Sequence, residues 1–128
     1  MAFESFAHVP VTEELLRHVW EGEPNGHQGG HRYGLGREGK TEFPESWDLA
    51  RVEHAIHLTI SHPQAVRFKS PFIYCDRVVS SVLLRVRLKN QGSSLFIETA
   101  YPICGDDVCR IVAGLRQSLP LDFSRLET

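Results

Sequence analysis

The sequence predicts an α+β fold: N-terminal helices packed on antiparallel β-sheet, with a further helix at the C-terminus. Three observations predict it. Apolar residues recur at helical spacing within residues 12–20 and 46–63, the period switches to two from Val82 onward, and helical spacing returns after Gly105. The 128 residues make one domain, 1–128, and 41% hydrophobic residues can fill a modest core.

The first helix is expected over "TEELLRHVW", residues 12–20. Thr12 can cap it, Glu13 and Glu14 meet the positive end of the helix dipole, and Val11 can staple onto Leu16. Gly22 and Pro24 must end it. Seven glycines from Gly22 to Gly39 make the next segment a long loop, and Trp20, Tyr33 and Leu35 in and beside it argue that the loop is ordered. The second helix is expected from a Ser46 cap to Pro63, with Leu49, Val52, Ile56 and Ile60 on one face.

The segment "VRFKSPFIYC" reads as one or two short strands. In "VVSSVLLRVRLK", Val82, Leu84, Val86 and Leu88 share one face, while Arg85, Arg87 and Lys89 share the solvated other. "NQGSS" is a turn and "LFIETAYP" the returning strand. The last expected element is a helix in "GDDVCRIVAGLRQSL", capped by Asp106 or Asp107, with Val108, Ile111, Val112, Leu115 and Leu119 at helical spacing.

Composition narrows the function. A net charge of −2 argues against loose, charge-driven nucleic-acid binding but allows a site that holds a few phosphates locally. There is no run of about 18 apolar residues, so no membrane span is expected. The opening "MAFESFAHVPVTEELL" lacks the basic flank and apolar run of a signal peptide. Cys75, Cys104 and Cys109 form no Cys-x-x-Cys pair and read as free thiols of a reducing compartment.

The stretch "HVWEGEPNGHQGGHRYG" holds three of the seven histidines and five of the ten glycines. His18 ends the first helix, and His31 comes thirteen residues later across a loop that can fold back on it. Two imidazoles at one phosphodiester can work as an acid and a base, since histidine carries both forms near its unperturbed value of about 6.5. Such chemistry needs no metal but does need a fixed cation beside the nonbridging oxygens. Lys40 is the nearest candidate, with Lys69 as its substitute, and glycine N–H groups can assist. Two other readings stay open. His18, His27 and His31 with Glu21 and Glu23 can form a metal module, although Gln28-Gly29-Gly30 between His27 and His31 removes the helix that makes such spacing effective. The histidines can also be structural, in a scaffold that binds RNA or protein without catalysis. His54, His57 and His62 lie on or just after the second helix and read as solvated or packing residues, and His8 has no evident partner.

Taken together, these residues resemble a family. His18 followed by "EGE", then Gly29-Gly30-His31, then "GKTEFP" (residues 39–44) running into Trp47, is similar to the bacterial branch of the EndoU endoribonucleases. "IETAYP", residues 97–102, resembles the closing strand of the more distant coronavirus uridylate-specific endoribonuclease. The resemblance spans Leu15 to Pro102, with the middle strands matching in pattern only, and the tail after Gly105 has no counterpart. It implies an EndoU-like fold and a triad in which His31 is the general base on an RNA 2′-hydroxyl, His18 the general acid and Lys40 the charge stabiliser; the two histidine roles are exchangeable. It implies that Thr99 and Tyr101 recognise uracil, consistent with their sharing one side of a strand. His27 and Gly30 are the remaining candidates for substrate contact. The implied activity is metal-independent cleavage of tRNA or single-stranded RNA near uridines to a 2′,3′-cyclic phosphate, with no required cofactor and Mn²⁺ stimulation as a family trait. The implied partners are RNA and, for the toxin tips of secreted proteins in this family, an immunity protein; the implied site of action is the cytoplasm.

Overall fold

The computed structural model describes residues 5–126. Its architecture is α+β: two helices, a four-stranded antiparallel sheet and a three-stranded antiparallel sheet. Helix α1 spans Glu13–Trp20, and Thr12 caps it by accepting from the Leu15 amide at 3.1 Å. Leu15, Leu16 and Val19 are its buried face. Helix α2 spans Leu49–Ser61. Its cap is Asp48, which accepts from the Arg51 amide at 2.8 Å, and not the expected Ser46. Residues before it are held in a turn instead, because Trp47 donates to the Pro44 carbonyl and its buried ring stacks on Phe43 at 5.6 Å. His54, His57 and His62 are not buried: the first two lie on the exposed side of α2 and His62 ends it.

The main sheet is a meander of β2 (Ala65–Lys69), β3 (Phe72–Val79), β4 (Val82–Gln91) and β5 (Ser94–Gly105), in that order. Ser80 and Ser81, both with positive φ, form the two-residue turn between β3 and β4. The alternation in β4 is realised. Val82, Leu84, Val86 and Leu88 are fully buried against the helices, where Val52, Ile56 and Ile60 meet them, while Arg85, Arg87 and Lys89 take the outer face. Burying one such aliphatic side chain contributes about 1.5–3 kcal/mol, so this face holds the helices to the sheet. Cys75, Cys104 and Cys109 are buried and unpaired, and burial, helped by Asp76, pushes the Cys75 thiol up to about 12. No helix among the described residues is long and apolar enough to cross a membrane.

The expected C-terminal helix is not there. The segment forms two strands, β6 (Cys109–Val112) and β7 (Leu115–Ser118), which join β1 (Thr41–Glu42) in the order β1-β6-β7. A short 3-10 turn, Phe123–Arg125, comes after them. Apolar spacing misleads here because the turn at Ala113 and Gly114, with φ of 53° and 78°, breaks the segment into a hairpin. Both turn amides donate to the Glu38 carboxylate, at 2.7 and 3.0 Å, a contact that crosses most of the sequence. Gly114→Ala reads out the difference by its sign. A helix would gain about 0.5–1 kcal/mol from this change, whereas a left-handed turn position loses about 1–2 kcal/mol. Chemical denaturation is expected to show the loss, and a gain would contradict the hairpin.

Candidate active site

A cleft of about 470 Å³ opens where the glycine loop, β1, β5 and β6 meet. It is lined by His18, His31, Lys40, Thr99 and Tyr101, joined by Gln28, Gly29, Arg87, Glu98 and Arg110.

His18 and His31 reach it through the end of α1. The last carbonyls of a helix have no partner inside it. Here the His18, Val19 and Trp20 carbonyls accept from the Gly30, His31 and Arg32 amides at 3.0, 2.7 and 3.1 Å. Two glycines permit this approach. Gly29 has φ +67°, and a Cβ on it would lie 2.1 Å from the His18 carbonyl oxygen. Gly30 has φ +81°, and its Cβ would meet the Arg37 side chain at 2.8 Å. Arg37 in turn ties the loop together by donating to the Glu21 carbonyl at 2.8 Å.

The two imidazoles differ in surroundings. His31 is buried and donates through Nδ1 to the Thr41 carbonyl at 2.7 Å. That bond sets the tautomer and leaves Nε2 with a lone pair. Burial lowers its pKa from 6.5 to about 4; the Thr41 bond opposes this, and the nearby charges of Lys40, His18 and Arg37 add to the lowering. Tyr101 stacks on the ring at 5.8 Å between centroids. His18 is half-buried, bonded through Nδ1 to the Glu23 carboxylate at 2.9 Å and through Nε2 to the Thr99 hydroxyl at 3.1 Å. Doubly protonated, it donates to Glu23 with one nitrogen and toward Thr99 with the other.

Lys40 is placed by backbone. Its carbonyl accepts from the Ile111 amide at 3.0 Å, and the Gly39 amide donates back to the Ile111 carbonyl at 2.8 Å. The β6 strand that occupies the expected helix therefore anchors the cation. The Lys40 ammonium has its pKa lowered, first by burial and then by Arg37 and Arg87. A phosphate oxyanion beside it would relieve that crowding of positive charge. Two residues along, the buried Glu42 carboxylate accepts from the Gly34 and Gly36 amides at 3.1 and 2.7 Å and pairs with Arg116 at 3.1 Å, holding the second half of the glycine loop.

Thr99 and Tyr101 share the cleft side of β5, as their spacing predicts. Register shifts in the β4–β5 pairing leave Glu98 and Ile103 as bulges on either side of them. Bulges re-aim neighbouring side chains, and here Glu98 joins the cleft wall paired to Arg87 at 2.6 Å.

Three sequence candidates do not join the site. His27 is exposed and outside the cleft lining, because the loop carries it to a tip where its amide bonds the Asn25 side chain. Gly30 does not line the cleft, and its amide is committed to the His18 carbonyl instead of to a substrate oxygen. Lys69 stands on the edge strand β2, away from the cleft, so it does not substitute for Lys40. Among the described residues, no three His, Cys, Asp or Glu side chains converge to hold a metal ion. Conversely, sequence reasoning missed Arg87, Glu98 and Arg110 in the cleft. Arg87 reads as a solvated strand position, and Arg110 lies in the misassigned helix. Glu23, a metal candidate by sequence, is the His18 partner; its place in the turn after the helix was the available signal.

Compared with family models, curated proteins and solved structures, the chain matches none.

The buried His31 makes folding pH-dependent. The folded state keeps the ring unprotonated below its ordinary range, so the stability is undiminished above pH 6.5 and is lost as pH falls toward 4. Between pH 7 and 4.5 wild type is expected to lose roughly 2–3 kcal/mol more than His31→Asn. Urea titrations of both proteins at the two pH values measure the difference; equal losses would refute a buried neutral imidazole.

Proposed function

We propose that the chain is an EndoU-type endoribonuclease that cleaves RNA near uridines by transesterification, without a cofactor. The observation that carries this reading is the pairing of two unlike imidazoles with one ammonium in a single cleft: His31 with Nδ1 committed and Nε2 left with its lone pair, His18 backed by a carboxylate, Lys40 between cationic neighbours. The motif resemblance that singles out His18, His31, Lys40, Thr99 and Tyr101 supports it, because these five residues come from separate stretches and converge on that cleft.

In this mechanism His31 Nε2 takes the proton of a ribose 2′-hydroxyl, and the 2′-oxygen attacks the adjacent phosphorus. The P–O2′ bond forms as the P–O5′ bond breaks. His18 gives its Nε2 proton to the departing 5′-oxygen, which takes the place of the Thr99 hydroxyl on that nitrogen. Lys40 balances the charge that builds on the nonbridging oxygens, the step where fixed electrostatics count most. The products are a 2′,3′-cyclic phosphate and a 5′-hydroxyl, and the two histidines exchange protons with solvent to reset. Tyr101, already against the His31 ring, packs on the base or ribose, and the Thr99 hydroxyl, once released from His18, bonds a pyrimidine edge.

The test is cleavage of a uridine-containing oligoribonucleotide in EDTA, with the ends identified by mass spectrometry. Cyclic-phosphate ends next to uridine are expected. His31→Ala or His18→Ala should lower kcat by about 10²–10⁴-fold, and Lys40→Ala by about 10²–10³-fold. An intact substrate, or 3′-hydroxyl ends, would overturn the reading. A second expectation concerns specificity. Tyr101→Ala should retain measurable turnover but flatten the ratio of kcat/KM for uridine over cytidine sites. An unchanged ratio would remove Tyr101 from base recognition.

A further inference from the structure

Thr99 is the last member of a row that crosses the whole main sheet. Arg67 on β2 pairs with Tyr74 on β3, Tyr74 with Arg87 on β4, and Arg87 with Thr99 on β5. In the next row Lys69 pairs with Phe72 and Phe72 with Lys89. On the other side Asp76 pairs with Arg85 and Arg85 with Tyr101. Residues directly opposite one another share a face, and the helices occupy the other face through Leu84, Val86 and Leu88.

This outer face is charged against the trend of the chain. It carries Arg67, Lys69, Arg85, Arg87 and Lys89 with only Asp76 and Glu98 opposing them, on a protein whose net charge is −2. Arg85 takes Asp76 in two bonds of 2.9 and 2.8 Å, and Arg87 takes Glu98, with Lys89 at 3.9 Å. Arg67 and Lys69 are exposed and form no ion pair among the described residues. The cations are interleaved with rings. Arg67 lies over Tyr74 and Arg87 over Phe72, each at 5.0 Å; Arg85 and Lys89 lie over the same two rings at 5.8 and 5.9 Å. Guanidinium planes stacked on aromatic rings present flat, positively charged surfaces that suit both phosphates and unstacked bases. At the far end the sheet is closed off, because Leu119, Leu121 and Leu126 pack around Leu83 and Ile103.

We propose that this face is a docking platform for the single-stranded RNA that flanks the cut, running from Thr99 and Tyr101 across β4 and β3 to Arg67 and Lys69. The proposal rests on the endoribonuclease reading of the cleft and extends it to the flanking nucleotides. Neighbouring strands lie about 4.8 Å apart, so β5 to β2 is about 14 Å, beyond the reach of the nucleotide held in the cleft. The continuity of the row with the cleft favours a nucleic-acid strand over an acidic protein, which would have no need of Thr99 and Tyr101 at its end.

The test uses the full chain and the double variant Arg67→Gln/Lys69→Gln, two strands away from the cleft wall. A 2′-O-methyl oligouridylate of about twelve nucleotides cannot be cut and serves as the binding probe in fluorescence anisotropy. The variant is expected to bind about fivefold or more weakly, and the slope of log Kd against log salt should fall by about 1.4, the share of two phosphate contacts on a single strand. In cleavage assays, its loss of kcat/KM on a long oligoribonucleotide should exceed its loss on the dinucleotide uridylyl-adenosine by about fivefold. An unchanged slope, equal losses on both substrates, or displacement of the oligouridylate by polyglutamate as readily as by unlabelled RNA would each overturn the platform. If wild type leaves both the oligoribonucleotide and uridylyl-adenosine uncut, the nuclease reading fails by itself, and the anisotropy measurement alone decides the platform.

Discussion

The candidate site hangs on one set of hydrogen bonds: the end of the first helix clasped by three consecutive loop amides. The carbonyls of His18, Val19 and Trp20 would otherwise face a buried loop unpaired, a cost of about 1–3 kcal/mol for each such group. Gly30, His31 and Arg32 supply the donors at hydrogen-bonding distance. The same contacts that finish the helix thus bring two histidines, thirteen positions apart, to one cleft. The clasp also explains the Gly29-Gly30 pair. A side chain at Gly29 would collide with the carbonyl oxygen of His18 itself, so backbone closeness at this point excludes every other residue.

The loop beyond the clasp is organised by charge. Glu42 is fully buried, a costly position for a carboxylate unless its oxygens are satisfied. The Gly34 and Gly36 amides and the Arg116 guanidinium do this, tying β7 to the loop. Glu38 does the same for the Ala113–Gly114 turn. Residues 34–42 and the C-terminal hairpin therefore stabilise each other, and Lys40 is held between them, just before β1, by its backbone bond to Ile111.

The five side chains of the cleft arrive from different parts of the fold, yet each is held by main chain. His18 rides a helix, His31 the helix clasp and the Thr41 carbonyl, Lys40 the backbone bonds to Ile111 beside the β1–β6 pairing, and Thr99 and Tyr101 a strand set off by two bulges. The sheet supplies the floor, and its inner face is the apolar core, so the cleft and the core share one scaffold. The outer face continues the cleft wall through Arg87, whose pairing with Glu98 links the two regions.

Local pattern alone determined much of this protein. Thr12 and its acidic first turn, the apolar stripe of α2, the alternation of β4, and the spacing of Thr99 and Tyr101 are all short-range signals, and each element stands where they point. The motifs around His18, His31 and Lys40 also marked residues that meet in one cleft. Tertiary contacts decided the rest. Val108, Ile111, Val112 and Leu115 fit a helix by spacing, but partners far away in sequence, the Lys40 backbone and the Glu38 carboxylate, set them in an extended hairpin. The cap of α2 is Asp48 rather than Ser46 because the buried Trp47 needs its turn. The protonation state of His31 depends on burial and on the Thr41 carbonyl, neither of which is written in its neighbours along the chain. Periodicity reports which face of an element is apolar; hydrogen-bond partners and desolvation belong to the folded whole, and those set what a titratable group can do.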